Sequence, residues 1–284
     1  MSPSKQVTFH QYRYQILPTT QAVQLDLAQE IRGVDDLRAK KNEFFWRALS
    51  GINIFTYSRG PLVHRKLSMD DDLLILQLAV ERDLKRTTRE FEAETVENWP
   101  DVLIVMNNRP DIQTCLIQEG VGFQKTSTVA KILEDNLNAQ LLHYQLSVAF
   151  EPIYEKRVFW DLVHRYEGRI TQIEFELISP NMSNISGALT IDLGALNRNT
   201  NTQRTNIKLN SDKSSSLTPT KDDPLVSGLV DYASQGGGDI TIRAKGIHKK
   251  MHTARGVNET RIDELLIQGA SPEHLKNIFK DLLK

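Results

Sequence analysis

Between Leu146 and Gly246 the chain runs strand, helix, strand, an inserted stretch, then strand, helix, strand. This order restricts the fold more than any other feature, because it is the order of a split βαβ (ferredoxin-like) module. The expected strands are Leu146–Ile153, Ile170–Ile178, Asn206–Asn210 and Asp239–Lys245, each a short apolar or alternating run bounded by Pro, Gly, Asn or Asp. The expected helices are Glu155–Tyr166 and Pro224–Ala233. Val158, Phe159, Leu162, Val163 and Tyr166 share one face of the first, and Leu225, Val226, Leu229 and Val230 one face of the second. In the insert, Ile185–Leu196 has helical spacing weakened by Gly187 and Gly194, while Asn197–Thr205 and Ser211–Asp223 read as polar loops.

The first half is strand-rich. Val7–Leu17 alternates up to Pro18, and Gln21–Ile31 and Asp35–Leu49 have helical periodicity. Strands are then expected at Ile52–Tyr57, Leu62–Leu67, Leu73–Arg82, Glu90–Val96, Val102–Met106 and Ile112–Gln118, separated by turn clusters such as Asp70-Asp71-Asp72. Short connections favour antiparallel neighbours, so this half is expected to form a meander sheet packed by helices, with Trp46 and Trp99 as packing residues. Thr126-Ser127-Thr128 opens a connecting helix, Ser127–His143, whose stripe of Val129, Ile132, Leu133, Leu137 and Leu141 suits core packing or, alternatively, a dimer seam. Ile262–Ile267 reads as a further strand. Ser271-Pro272-Glu273 then starts a terminal helix, with Ser as cap and Pro at the first helical position. The expected class is therefore α+β, with a strand-rich domain over 1–122, a linking helix over 123–145 and a ferredoxin-like domain with a C-terminal helix over 146–284.

With 284 residues and 39% hydrophobic content, the chain can bury a substantial core. Its 35 Lys and Arg nearly cancel its 36 Asp and Glu, so an anionic partner has to be held by a local patch. The lone Cys115 cannot form an internal disulfide, which favours a reducing compartment. The opening residues lack a basic and apolar leader, and no run approaches the ~20 apolar residues of a membrane span, so a cytoplasmic protein with no membrane contact is expected. The acceptor triplets at Asn181, Asn184 and Asn258 are then chance matches to the glycosylation pattern.

The sharpest charge anomaly is the run Ile240–Asn258, which carries Arg243, Lys245, His248, Lys249, Lys250, His252 and Arg255 and no Asp or Glu. Alternation places Arg243 and Lys245 on one face of the last module strand, with Lys208 on a candidate neighbour. Such a stripe can neutralise a phosphodiester backbone; the plainer alternative is a solvated surface. The same face presents Gln172, Glu174 and Glu176, while Phe150 and Phe175 turn toward the helices. Base stacking is thus not expected, and contacts to a nucleic acid would be mostly to its backbone.

Glu174 and Glu176, two residues apart on one strand face, could share a divalent cation or divide acid and base roles, although cross-strand Glu and Lys pairs are also ordinary surface chemistry. His248 and His252 have i, i+4 spacing but no acid between them and no third ligand, so neither a metal nor a cofactor is expected. Gly236-Gly237-Gly238 closes a helix and enters a strand, the reverse of a phosphate loop. Taken together, these features point to a non-enzymatic, intracellular protein that binds the phosphate backbone of DNA or RNA, within a prokaryotic defence or mobile-element type of assembly. A metal-dependent nuclease or phosphodiesterase using Glu174 and Glu176 is the alternative. A protein-interaction subunit or homodimer, joined through the terminal helix and the mixed-charge sheet, is the third reading.

Overall fold

The computed structural model describes residues 5–19, 31, 33–179 and 193–283. The helix expected at Gln21–Ile31, all but its last residue, lies outside the described residues, as do the start of Ile185–Leu196 and the Asn181 and Asn184 triplets. The fold is α+β with antiparallel sheets. In chain order its first elements are β1 (Gln6–Pro18), α1 (Val34–Gly51), β2 (Leu62–Met69), β3 (Leu73–Val80), β4 (Leu84–Thr87), β5 (Ala93–Val96), β6 (Asp101–Asn107), β7 (Thr114–Gln118) and α2 (Thr126–Leu141). Then follow β8 (Leu146–Pro152), α3 (Arg157–Arg165), β9 (Ile170–Ile178), α4 (Leu193–Thr200), β10 (Arg204–Asn210), α5 (Pro224–Ser234), β11 (Gly238–Ala244) and β12 (Met251–His252). The chain ends with β13 (Glu259–Asp263), α6 (Glu264–Ile267) and α7 (Pro272–Leu282).

Two compact units are formed, and each gathers separate stretches of chain. The first comprises Met1–His10, Trp46–Gln140 and Glu259–Lys284. Its sheet has the order β13-β1-β7-β6-β3-β2, and β2, β3, β6 and β7 form the expected antiparallel meander. β3 reads LLILQLAV and is buried along nearly its whole length, as a central strand covered on both faces should be. Phe9, Leu73, Ile75, Leu103, Val105 and Leu116 pack with Leu275, Phe279 and Leu283 of the C-terminal segment. The stripe of α2 is spent inside the chain, since Val129, Ile132, Leu133 and Leu137 are buried.

Ile52–Tyr57 is not a strand. Ile52 and Phe55 are buried, but the segment is held by a side chain instead of a ladder: Asn136 accepts from Thr56 N at 2.8 Å and donates to Thr56 O at 3.0 Å, taking the place of a neighbouring strand. Ile262–Ile267 divides between β13 and α6, because the Asp263 side chain accepts from Leu265 N at 3.0 Å and caps a helical turn.

The second unit comprises Gln11–Phe45 and Leu141–Asn258. The four module strands occupy their expected places to within two residues. Their pairing departs from the split βαβ arrangement: the sheet order is β10-β9-β11-β12, with β9 between β10 and β11 and antiparallel to both. β8 pairs instead with Tyr12–Pro18 of β1, where Tyr14 faces Phe150 and Ile16 faces Val148. The physical reason is edge availability. β10 and β11 occupy both edges of β9, whereas the long apolar end of β1 offers β8 a complete partner. Phe159, Ile173, Phe175, Val226, Leu229, Val230, Ile240 and Ile242 then form a core under one face of the four-stranded sheet. α5 starts at Pro224 under an Asp223 cap that accepts from Leu225 N at 2.9 Å and Val226 N at 3.2 Å.

Candidate nucleic-acid interface

Strand alternation sends Ile173, Phe175, Ile207, Ile240 and Ile242 into the core, so the intervening residues of β9, β10 and β11 form the opposite, polar face. The register arranges this face in rows. Lys208 lies opposite Glu174, Glu174 opposite Thr241 and Thr241 opposite His252. One row is Asn206, Glu176 and Asp239; another is Asn210, Gln172 and Arg243. Gly238 permits this alignment: its φ of +146° and its approach to the Glu176 carbonyl leave no space for a Cβ. No Phe, Tyr or Trp side chain occupies these rows, so the face is suited mainly to charge and hydrogen-bond contacts.

The acids of this face are engaged by nearby groups. Lys250 Nζ lies 3.3 Å from Glu174 Oε2, and Gln172 Nε2 donates to the same oxygen at 3.3 Å. Arg204 lies 3.1 Å from Glu176 and 3.4 Å from Glu151. Asp239 is the most heavily committed. Its Oδ1 accepts from Ile240 N at 2.8 Å, Ala254 N at 3.0 Å and Thr253 Oγ1 at 3.2 Å, and its Oδ2 lies 2.7 Å from His252 Nδ1. Each of the two glutamates therefore faces its own cation, and among the described residues no three His, Cys, Asp or Glu side chains converge as a metal site would require.

Of the residues singled out from sequence, Lys208, Arg243, Lys250 and His252 come together on or against this face. Lys245 does not follow Arg243 along the strand. The register slips between Arg243 and Ala244, β11 ends, and Lys245 enters a turn with Gly246 at φ +77°, its carbonyl accepting from Arg169 Nη2 at 2.7 Å. His248 and Lys249 are exposed on the connection from β11 to β12, and Arg255 is exposed on the short 3-10 turn Thr253–Arg255. His248 and His252 share no helix, so their spacing has no helical meaning. Asp239, Thr241 and Arg204 carry no sequence signal of their own for this face. Alternation back from Arg243 reaches Thr241 and then Asp239, but the tie from Asp239 to His252 spans a turn that no local pattern announces. No protein-family model matches this chain, and no curated protein or solved structure shows significant similarity to it.

Proposed function

We propose that the polar face of the β10-β9-β11-β12 sheet, with the basic connection that follows β11, binds a nucleic acid through its phosphate backbone. One observation carries this reading. The 240–258 segment has no acid of its own, and among the described residues only Lys250 of its Lys and Arg side chains is neutralised by an ion pair. Arg243, Lys245, Lys249 and Arg255 are exposed, as is Lys208 beside Glu174. Cations on the sheet face and on the connection that follows it, left without ion-pair partners among the described residues, can displace condensed counterions from a polyanion, which makes binding favourable and dependent on salt.

The test is the dependence of affinity on salt for single- and double-stranded DNA and RNA, comparing the parent with Arg243→Ala, Lys249→Ala and Arg255→Ala combined. Each lost contact should flatten the slope of log affinity against log salt by about 0.7 for a single strand and about 0.9 for a duplex. The loss should be alike for all sequences. A parent with no affinity for any nucleic acid at ~50 mM salt would refute the reading.

A further inference from the structure

We infer that the row Glu174, Thr241, His252 is an acid–base site that cleaves single-stranded RNA without a metal ion; this rests on the proposed binding of nucleic acid at the same face. Lys250 and Gln172 both contact Oε2 of Glu174, and among the described residues Oε1 has no partner. Asp239 holds His252 by Nδ1 at 2.7 Å, and Thr241 Oγ1 lies 3.3 Å from the same nitrogen, so Nε2 is left over. The His252 side chain is 39% exposed and that of Glu174 is 26% exposed, so both reach solvent from ordered positions.

Glu174 and His252 stand on strands two apart, about 10 Å between backbones, with side chains on the same face. Thr241, shorter than either, lies between them in the row, and the scissile phosphodiester would sit over it. Lys208, exposed and opposite Glu174, supplies positive charge for the non-bridging oxygens.

The ionic partners assign the roles. Glu174, engaged among the described residues only through Oε2, offers Oε1 as the base, and His252, held at Nδ1 by Asp239, presents Nε2 as the acid. Glu174 takes the proton of the ribose 2′-hydroxyl as that oxygen attacks phosphorus. The bond from phosphorus to the 5′-oxygen breaks, and His252 gives its Nε2 proton to that leaving oxygen. The products are a 2′,3′-cyclic phosphate and a 5′-hydroxyl, and the proton gained by Glu174 equals the one lost by His252. No oxidant or metal enters the balance, and DNA, lacking the 2′-hydroxyl, is not cut. Asp239 is a positioning residue.

The test uses the full chain with a labelled single-stranded RNA oligonucleotide, its DNA counterpart and its 2′-O-methyl counterpart, all in EDTA. The parent should convert the RNA to fragments ending in 2′,3′-cyclic phosphate and leave DNA intact. Glu174→Gln and His252→Asn should each slow cleavage by about 10²- to 10⁴-fold. Both should retain binding to the 2′-O-methyl strand, which shows that they are folded. The charged groups around His252 are Asp239 on β11, Glu174 on β9 and the adjacent Lys250. Asp239→Asn, which weakens the hold on His252 Nδ1, should lower kcat while leaving KM unchanged, whereas general loosening of the face would raise KM as well. A parent that binds RNA but leaves it uncut in EDTA from about pH 4 to 9 overturns the proposal while the binding reading stands. Cleavage undiminished in His252→Asn also overturns it. Failure to bind any nucleic acid overturns the binding reading and this one with it.

Discussion

Lys41 shows what a single side chain on a helix can cost. Burial, and then the nearby Arg38 charge, lower its pKa from 10.5 to about 8. The unfolded chain therefore binds a proton more readily than the folded chain between about pH 8 and 10.5. Stability must rise with pH across that window, and the full cost is present below it. The shift corresponds to about 3 kcal/mol at most. Lys41→Met, which keeps the length of the side chain and removes its charge, should abolish this rise when unfolding free energies are measured by urea at both ends of the window. An unchanged slope in the variant would show that Lys41 is solvated when folded. Asn136 acts through geometry instead of charge. Its amide replaces a whole strand neighbour for Thr56, a role no spacing in the sequence could reveal because the partners lie 80 residues apart.

Elements with a local cause were the legible ones. Ser271-Pro272-Glu273 does start a helix, with the Ser271 hydroxyl accepting from His274 N at 3.3 Å, and Ile170–Ile178 is a strand to the residue. Period-two alternation also separated the two faces of the four-stranded sheet, which is why Lys208, Glu174, Glu176 and Arg243 could be placed together in advance. Alternation names a face but not a neighbour, so the pairing of β8 with β1 and the end of β11 before Lys245 were not legible. The β4–β5 ribbon carries a further local conflict. Its turn closes with Phe91 N donating to Thr88 O at 3.0 Å, and Phe91 then adopts φ +62° while 91% exposed. A bulky residue is strained there and buries nothing in return, whereas glycine is at ease. Phe91→Gly should stabilise the ribbon by about 0.5–1 kcal/mol after allowance for the greater freedom of glycine when unfolded. Amide exchange at Thr88 and Glu92 should slow about two- to five-fold. Faster exchange in the variant would mean that the ring contributes packing the static structure does not display.

A net charge of −1 gives no long-range attraction for a polyanion, so any such binding depends on where cations are left unpaired and not on their number. The assembly of the first unit follows a comparable logic of position. Its core is completed by chain from both ends of the sequence: Phe9 of β1 meets Phe279 of α7 edge to face at 5.4 Å, and Lys5 and Glu264 are joined by a 2.8 Å ion pair and by Glu264 N donating to Lys5 O at 2.9 Å. Closing so long a loop costs entropy before any contact repays it, so the apolar contacts of α7 have to be strong ones. Phe279 is fully buried among Phe9, Leu73, Ile75 and Leu103, and Phe279→Ala would remove its contacts and leave a cavity. The expected loss is about 3–5 kcal/mol, a large part of the stability of an ordinary domain. Lys280→Ala, which removes only a 3.8 Å contact with Asp70 from the exposed side of the same helix, should change little and serves as the control. Urea unfolding of both variants decides the matter: a loss below about 1 kcal/mol for Phe279→Ala would show that α7 rests on the unit without completing its core.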